Sequence, residues 1–519
     1  MTDEVRIELQ PLGEHLKVPR GTPLREILFD YGVEFPCGGR GQCRGCRIRV
    51  AEGSLEVTPP QRQVLRPQEI EEGWRLSCQC RAEGDMRLEM AQWKADILVD
   101  DSLFEFSPGK GLGIAIDLGT TTVVVQLLDL ETGRVLGVRT ALNAQARHGA
   151  DVMSRVEFAV SGGGRKTLTD VIRHQIGTLI RQVLAHSLVP IDDKAPDNGA
   201  AAWRESDLTQ IVIVGNTVIH HLFCGIDPEP LSHYPFEPME IGLYKFQARE
   251  LGWDLESNPV VRFLPCLGGF VGADTLAGIL AIRMHESRDL VGLVDLGTNG
   301  EIVFGNSERM ICASTAAGPA FEGARIWMGM RAATGAVYQV QASNGGLHCS
   351  VLGNTEPRGI CGSGLVDAIA VGLDLGRVAP GGKLNCEGEH FVIADPVAIS
   401  QTDVRQLQLA KAAIAAGIKL VLERIGGTHD QVKALYLAGA FGNYISRESA
   451  RRIGLIEFPI DKVRPAGNTA LLGAKMALFQ PDIDGELFPR ILERMEHMSL
   501  SADPHFMDTY VEEMVFPRG

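Results

Sequence analysis

Short runs that alternate apolar and polar side chains open the chain. Val5, Ile7 and Leu9 alternate with polar neighbours in VRIELQ (5–10), and EHLKV (14–18) repeats the pattern after a Pro-Gly turn, so the pair predicts a β-hairpin. TPLREILFDYG (22–32) sets Leu24, Ile27, Leu28 and Tyr31 on one helical face, with Thr22 placed to cap the helix. CRIRVAEG (46–53) and GDMRLEM (84–90) predict two more strands. Strands wrapped around one helix predict a small β-grasp sheet over residues 1–97.

SLFEFSPGKG (102–111) ends in Ser, Pro and Gly and reads as part of a linker, set at 98–110. Beyond it, apolar strands alternate with helices. IAIDLG (114–119) leads into TTVVVQLLDL (121–130), a hairpin across a turn at Gly119. IVIVGN (211–216), GLVDLG (292–297) and ALYLAGAFG (434–442) are further apolar strands ending in Gly, while VTPPQRQ (57–63) and GGTHD (426–430) read as turns. IAIDLGTTTVVV (114–125) and GLVDLGTNGEIVF (292–304) are related: an apolar strand, an Asp, Gly-Thr, then a second strand. The repeat predicts two similar lobes from a duplication, 111–288 and 289–519, the second including a C-terminal tail. The expected class is α+β: a small β-grasp unit followed by a two-lobed α/β unit.

Length and charge narrow the function. A chain of 519 residues needs more than one core. A net charge of −15 argues against a nucleic-acid binder, which needs a basic face. No apolar stretch of about 18 residues occurs, and the N-terminus lacks a basic-then-apolar leader, so a cytoplasmic protein without a membrane span is expected. Of the 11 cysteines, five lie between positions 37 and 80, which favours metal ligation over a disulfide framework.

Those cysteines run Cys37-x5-Cys43-x2-Cys46, with Cys78 arriving 31 residues later. A [2Fe–2S] cluster needs four thiolates, and three from one loop plus one from a distant turn is the ferredoxin arrangement. Gly38, Gly39, Gly41 and Gly45 allow sharp turning and close backbone approach. Arg40, Arg44 and Arg47 offset part of the cluster charge or steer an acidic partner. Zinc ribbons instead show two Cys-x2-Cys pairs. Cys80 is the alternative fourth ligand. The first 90 or so residues resemble [2Fe–2S] ferredoxins.

A phosphate site is read in Asp117-Leu118-Gly119-Thr120-Thr121-Thr122, where backbone N–H groups and hydroxyls can cradle an anion and Asp117 can hold Mg²⁺. Asp295-Leu296-Gly297-Thr298-Asn299 offers the same chemistry again. In Gly439-Ala440-Phe441, small residues after a strand leave room for an adenosine. The three elements in this order look like the superfamily of acetate and sugar kinases, heat-shock chaperones and actin, which implies two ribonuclease-H-like lobes around an ATP–Mg²⁺ cleft.

VGNTVIHHLFCGIDPEPL (214–231), LPCLGGFVGADTLAGI (264–279), STAAGPAFEGA (314–324), GICGSGLVDAI (359–369) and TDVRQLQLAKAAIAAGI (402–418) follow in order. With the cysteine loop they resemble the reductive activators of corrinoid proteins. That resemblance implies ATP-driven return of an oxidised Co(II) corrinoid protein to Co(I), the state that accepts methyl groups in a methyltransferase system, by one electron from the [2Fe–2S] cluster, which an unidentified donor refills. It adds Gly318 to the nucleotide-binding set, and Glu322 as a group that orients water or metal, the alternative being an interlobe salt bridge. The reading admits a homodimer. The competing function is a metabolite kinase with a redox-sensing ferredoxin domain; an ATP-switched chaperone is a third. Asn216 and Thr217 line the cleft or cap the following helix. His220 and His221, on that helix, contact a partner or pack. Cys312 and Cys361 read as buried and inert, and Gly362-Ser363-Gly364 as packing a helix against a strand or touching ribose.

Overall fold

The computed structural model describes residues 3–10, 12–33, 35, 39–42, 44–90, 104–187, 203–297, 299–318, 320–323, 325–343, 346–386 and 388–518. Cys37, Cys43 and Thr298 fall outside these, as does the side chain of Ala440.

The N-terminal unit is a five-stranded mixed sheet in the spatial order Glu14–Pro19, Glu4–Gln10, Met86–Met90, Arg47–Glu52, Trp74–Leu76. Glu4–Gln10 pairs antiparallel with the hairpin strand and parallel with Met86–Met90. Val5, Ile7, Leu9, Leu24, Leu28 and Leu88 close its core. Two details differ from expectation. Thr22 does not cap the helix Leu24–Leu28: Pro23 holds the cap position, and the Thr22 hydroxyl donates to the Pro19 carbonyl at 2.6 Å. VTPPQRQ is no simple turn, because Pro59–Val64 forms a helix whose first positions are the two prolines, where a missing N–H costs nothing. That helix buries Gln61, which accepts from the Leu76 N–H at 2.9 Å and donates to the Glu56 carbonyl.

Two six-stranded sheets follow. The first runs Val135–Leu142, Thr122–Asp129, Leu112–Leu118, Leu208–Val214, Val260–Phe263, Tyr244–Gln247. The second runs Met495–His497, Met310–Thr315, Gly300–Gly305, Val291–Leu296, Ala434–Ala438, Val463–Gly467. In each, five strands correspond, a hairpin extended by a third antiparallel strand on one side and two parallel strands on the other, while the sixth differs: Tyr244–Gln247 joins the parallel edge antiparallel, and Met495–His497 joins the antiparallel edge parallel. The duplication seen in the sequence is thus a duplication of sheet order. The fold class is the expected one, a ferredoxin-like unit joined to a two-lobed α/β unit.

Helices Ala273–Ala281 and Thr469–Leu478 pack closely against each other, and a side chain at Gly473 would collide with the Ala277 backbone. Thr469–Leu478 also lies on Leu112–Leu118 and Leu208–Val214, so a late segment completes the first lobe. Gln210 Nε2 donates to the Leu478 carbonyl at 2.8 Å. Of the predicted linker, Phe104 and Phe106 pack on Phe479, with ring centroids 5.4 and 4.5 Å apart. Among the described residues no helix is long and apolar enough to cross a membrane.

Candidate nucleotide cleft and cluster loop

Both Asp-Leu-Gly segments end equivalent strands. The first loop closes on itself through the Gly119 N–H, which donates to the Thr122 carbonyl at 2.9 Å. Its carbonyls are tied back from behind. Asn143 Nδ2 donates to Gly119 O at 2.9 Å, the Asn143 N–H to Thr121 O at 2.8 Å, and Arg155 Nη2 to Thr120 O at 2.5 Å. Asn216 caps its helix, accepting from the Ile219 N–H, and also donates to the Thr120 hydroxyl at 2.8 Å. Asp117 accepts from Asn468 Nδ2 at 2.8 Å, and Asn468 in turn caps Thr469–Leu478.

In the second loop the Gly297 N–H donates to the Asn299 carbonyl at 3.0 Å. Gly439 lies against it at φ +83°; a Cβ there would sit 2.5 Å from Asp295 Oδ1 and 3.0 Å from the Leu296 carbonyl. Only glycine meets both constraints. Phe441, two residues on, stacks on Phe321 with centroids 4.5 Å apart. Gly318 has φ +77° and open space where a side chain would be. Gly362 and Gly364 sit against the Phe321 and Val337 carbonyls, the close packing expected of that segment.

Four carboxyl groups influence one another here. Burial pushes Asp117 up to about 6. Asp295 is raised to about 7 by burial, then by the charges of Asp274 and Asp117. Asp274 is raised to about 7 by burial and by Asp117, and Glu301 well above its usual range by burial, Asp274 and Asp295. Glu322 is half-buried beside Phe321. Asp274 and Glu301 do not stand out in the sequence as Asp117 and Asp295 do. Glu301 carries a signal: a tight hairpin after Asp295 sets it directly opposite, and this is the observed register. Like charges facing across strands destabilise, and a bound cation would offset them. Among the described residues no three His, Cys, Asp or Glu side chains form a metal cage. Mg²⁺ takes one or two carboxylates and completes its shell with phosphate and water.

Cys46 is buried and Cys78 half-buried, and the two are joined through Ser77, whose N–H and hydroxyl donate to the Cys46 carbonyl at 3.0 and 2.9 Å. Gly39 and Gly41 have φ +81° and +70°, and a Cβ at either would crowd Arg25 or Gln79. Gln79 Nε2 donates to the Gly39 carbonyl at 2.8 Å, tying the Cys78 turn to the loop. The glycines and the adjacent cysteines fit a thiolate-bound cluster. Cys80 lies in the core, pushed up to about 12 by burial, its thiol directed at the Leu76 carbonyl. Arg44 and Arg47 do not face outward to steer a partner: both turn in to Glu69.

His220 and His221 are fully buried. His220 packs edge-on to Tyr244 and Phe263, and burial pulls it down to about 3; His221 Nδ1 lies 2.8 Å from the Thr217 carbonyl. Both rings are packed inside the first lobe, away from its surface. Cys312 and Cys361 are buried as expected.

A ferredoxin-type cysteine loop on a β-grasp sheet, joined to a two-lobed fold with paired phosphate-type loops, defines a redox unit fused to a member of the kinase, chaperone and actin superfamily. Family models agree along the chain: a 2Fe-2S iron-sulfur cluster binding domain at residues 7–83, the RACo middle region at 112–287, and the C-terminal domain of RACo, the ASKHA domain, at 289–519. The corrinoid activation enzyme RamQ of Eubacterium limosum is 38% identical over 438 residues, spanning 78% of this chain and 70% of that protein. A [Co(II) methylated amine-specific corrinoid protein] reductase of Methanosarcina barkeri is 26% identical, spanning 78% of this chain and 77% of that protein. A solved structure titled reductive activator for corrinoid, iron-sulfur protein superposes with TM-score 0.68 at 26% identity, covering 99% of this chain and 98% of that one. The chain belongs to the family of reductive activators of corrinoid proteins.

Proposed function

We propose that this chain is an ATP-hydrolysing reductive activator that passes one electron to a Co(II) corrinoid protein of a methyltransferase system, restoring Co(I). The observation that carries this reading is the joining, within one chain of that family, of a cysteine loop built for a cluster and a cleft whose unbalanced carboxylates suit a Mg²⁺–nucleotide. Cys37, Cys43, Cys46 and Cys78 hold the [2Fe–2S] cluster, which supplies the one-electron store; Cys80 stays in the core. Asp117 and Asp295 hold Mg²⁺. Gly119, Thr120, Thr121 and Thr122 face Gly297, Thr298 and Asn299 across the phosphates, with Gly318, Gly439, Ala440 and Phe441 on the adenosine side.

The nucleotide is needed because the electron moves uphill. Ferredoxin-type clusters lie near about −400 mV, and each ~59 mV of shortfall costs tenfold in equilibrium for a one-electron couple. Closing the lobes on ATP can shift that balance only through contacts that differ between open and closed states. Support comes from the tied-back first loop, a fixed floor against which the second lobe can close.

The test is to mix the reduced protein, ATP–Mg²⁺ and a Co(II) corrinoid protein without oxygen and follow the Co(I) absorption band. ATP-dependent appearance of the band supports the reading. Its absence, or phosphorylation of a small alcohol or acid by cluster-free protein, overturns it.

A further inference from the structure

The ferredoxin unit touches both lobes, and each contact leads to the nucleotide cleft. On the first lobe, Arg147 pairs with Asp30 at 2.8 Å and lies 4.8 Å over the Phe29 ring, while Leu142 and Ala146 pack against the ferredoxin core. Arg147 ends the short helix capped by Asn143, the residue that holds the Gly119 and Thr121 carbonyls. On the second lobe, Arg66 lies 4.5 Å over the Trp327 ring. Trp327 is anchored within its lobe, its N–H donating to Asp403 at 2.7 Å and its ring 4.5 Å from His390. It also belongs to the loop that carries Phe321, the ring stacked on Phe441. Behind Arg66, Glu69 pairs with Arg44, which stands between Cys43 and Cys46.

One rigid unit fastened to two lobes restrains their relative motion. If the lobes close on a nucleotide, both fastenings cannot keep their geometry. Among the described residues they are unequal: the first combines an ion pair, a cation–π contact and apolar packing, whereas the second rests on the Arg66–Trp327 cation–π contact and a longer-range attraction of Arg44 for Asp403. We propose that nucleotide closure opens the Arg66–Trp327 contact, releasing the cluster-bearing unit from the second lobe while Arg147 keeps it on the first. This rests on the nucleotide reading above and deepens it. Coupling is reciprocal, so a clasp that closure must open resists nucleotide binding by as much as the nucleotide weakens the clasp.

The full-length, cluster-loaded protein is compared with and without a non-hydrolysable ATP analogue and Mg²⁺. Hydrogen exchange is expected to rise at 325–331 and 66–71 on binding, and not at 143–147. Arg66→Ala is expected to expose both segments without nucleotide and to bind the analogue roughly two- to fivefold tighter, the factor set by one exposed cation–π contact. Trp327→Leu, within a different unit, should give the same pair of changes, so a folding defect in one variant does not decide the matter. Tight analogue binding with no exchange change at 325–331, or variants that bind no tighter, overturns the clasp and leaves the nucleotide site standing. No analogue binding at all overturns both.

Discussion

Asp117-Leu118-Gly119 and Asp295-Leu296-Gly297 end matching strands of matching sheets, yet their surroundings differ. Opposite Asp117 on the next strand stands Val124; opposite Asp295 stands Glu301. Asp117 is held by Asn468, and its loop is braced by Asn143, Arg155 and Asn216. Asp295 meets Gly439 at closest approach, faces Glu301 across the hairpin, and is raised by the charges of Asp274 and of Asp117 itself. A duplicated backbone has therefore diverged in its surroundings: one loop is braced by hydrogen bonds, the other sets Asp295 directly opposite Glu301, a repulsion that a cation bound as proposed would relieve. Stored repulsion of this kind costs stability and is kept where binding requires it.

Substitutions can break that contrast. Gly439→Ala forces a methyl into Asp295 Oδ1 at a left-handed φ. Overpacking of this kind costs about 1–3 kcal/mol, so nucleotide affinity is expected to fall roughly tenfold to a hundredfold while the first loop is untouched, measured by calorimetric titration. Asn468→Ala removes a helix cap and the partner of Asp117 together; a loss of about 1–2 kcal/mol is expected in denaturant unfolding.

Acidity sharpens it further. Asp117, Asp274 and Asp295 titrate higher in the folded protein than in the unfolded chain. The folded state therefore holds protons that the unfolded chain has released. The stability this gives is full below the unfolded value near 4 and is lost as pH rises through about 6 to 7. The thermal midpoint of nucleotide-free, metal-free protein is expected to drop by a few degrees from pH 6 to pH 8, and Mg²⁺–nucleotide should flatten the drop. A rising midpoint would refute the repulsion. Smallest, Glu301→Gln removes the carboxyl facing Asp295 and should stabilise the nucleotide-free protein by about 0.5–1 kcal/mol in alkaline solution, where that carboxyl is ionised, with the gain fading as acid protonates it.

Much of this architecture can be read from side-chain order. The β-grasp hairpin, both Asp-Leu-Gly turns and the duplication follow from local periodicity, because strand alternation and tight turns are near-neighbour effects. Asp274 stands in plain view in VGADTLAG, but its meaning depends on where its helix lands, which no local pattern fixes. Asn468 lies 351 positions from its partner Asp117, and Asn143 looks like any loop asparagine until its bonds to Gly119 and Thr121 are seen. Pro59-Pro60 reads as a turn because proline signals turns and helix starts alike, and only the following residues' packing separates the two. Arg44 and Arg47 can be read as steering charges as easily as inward ones because Glu69, which turns both inward, sits 25 residues from Arg44.

The helix Thr469–Leu478 has a consequence for how the chain is made. Ala470, Leu471, Ala474, Ala477 and Leu478 complete the same apolar cluster as Ile114, Ile116, Ile211 and Ile213. During synthesis, the sheet that begins near residue 112 must wait more than 350 residues for the piece that seals it. Until then, that nascent sheet keeps an apolar face open, a natural resting place for a chaperone and a weak point for any fragment cut before residue 469.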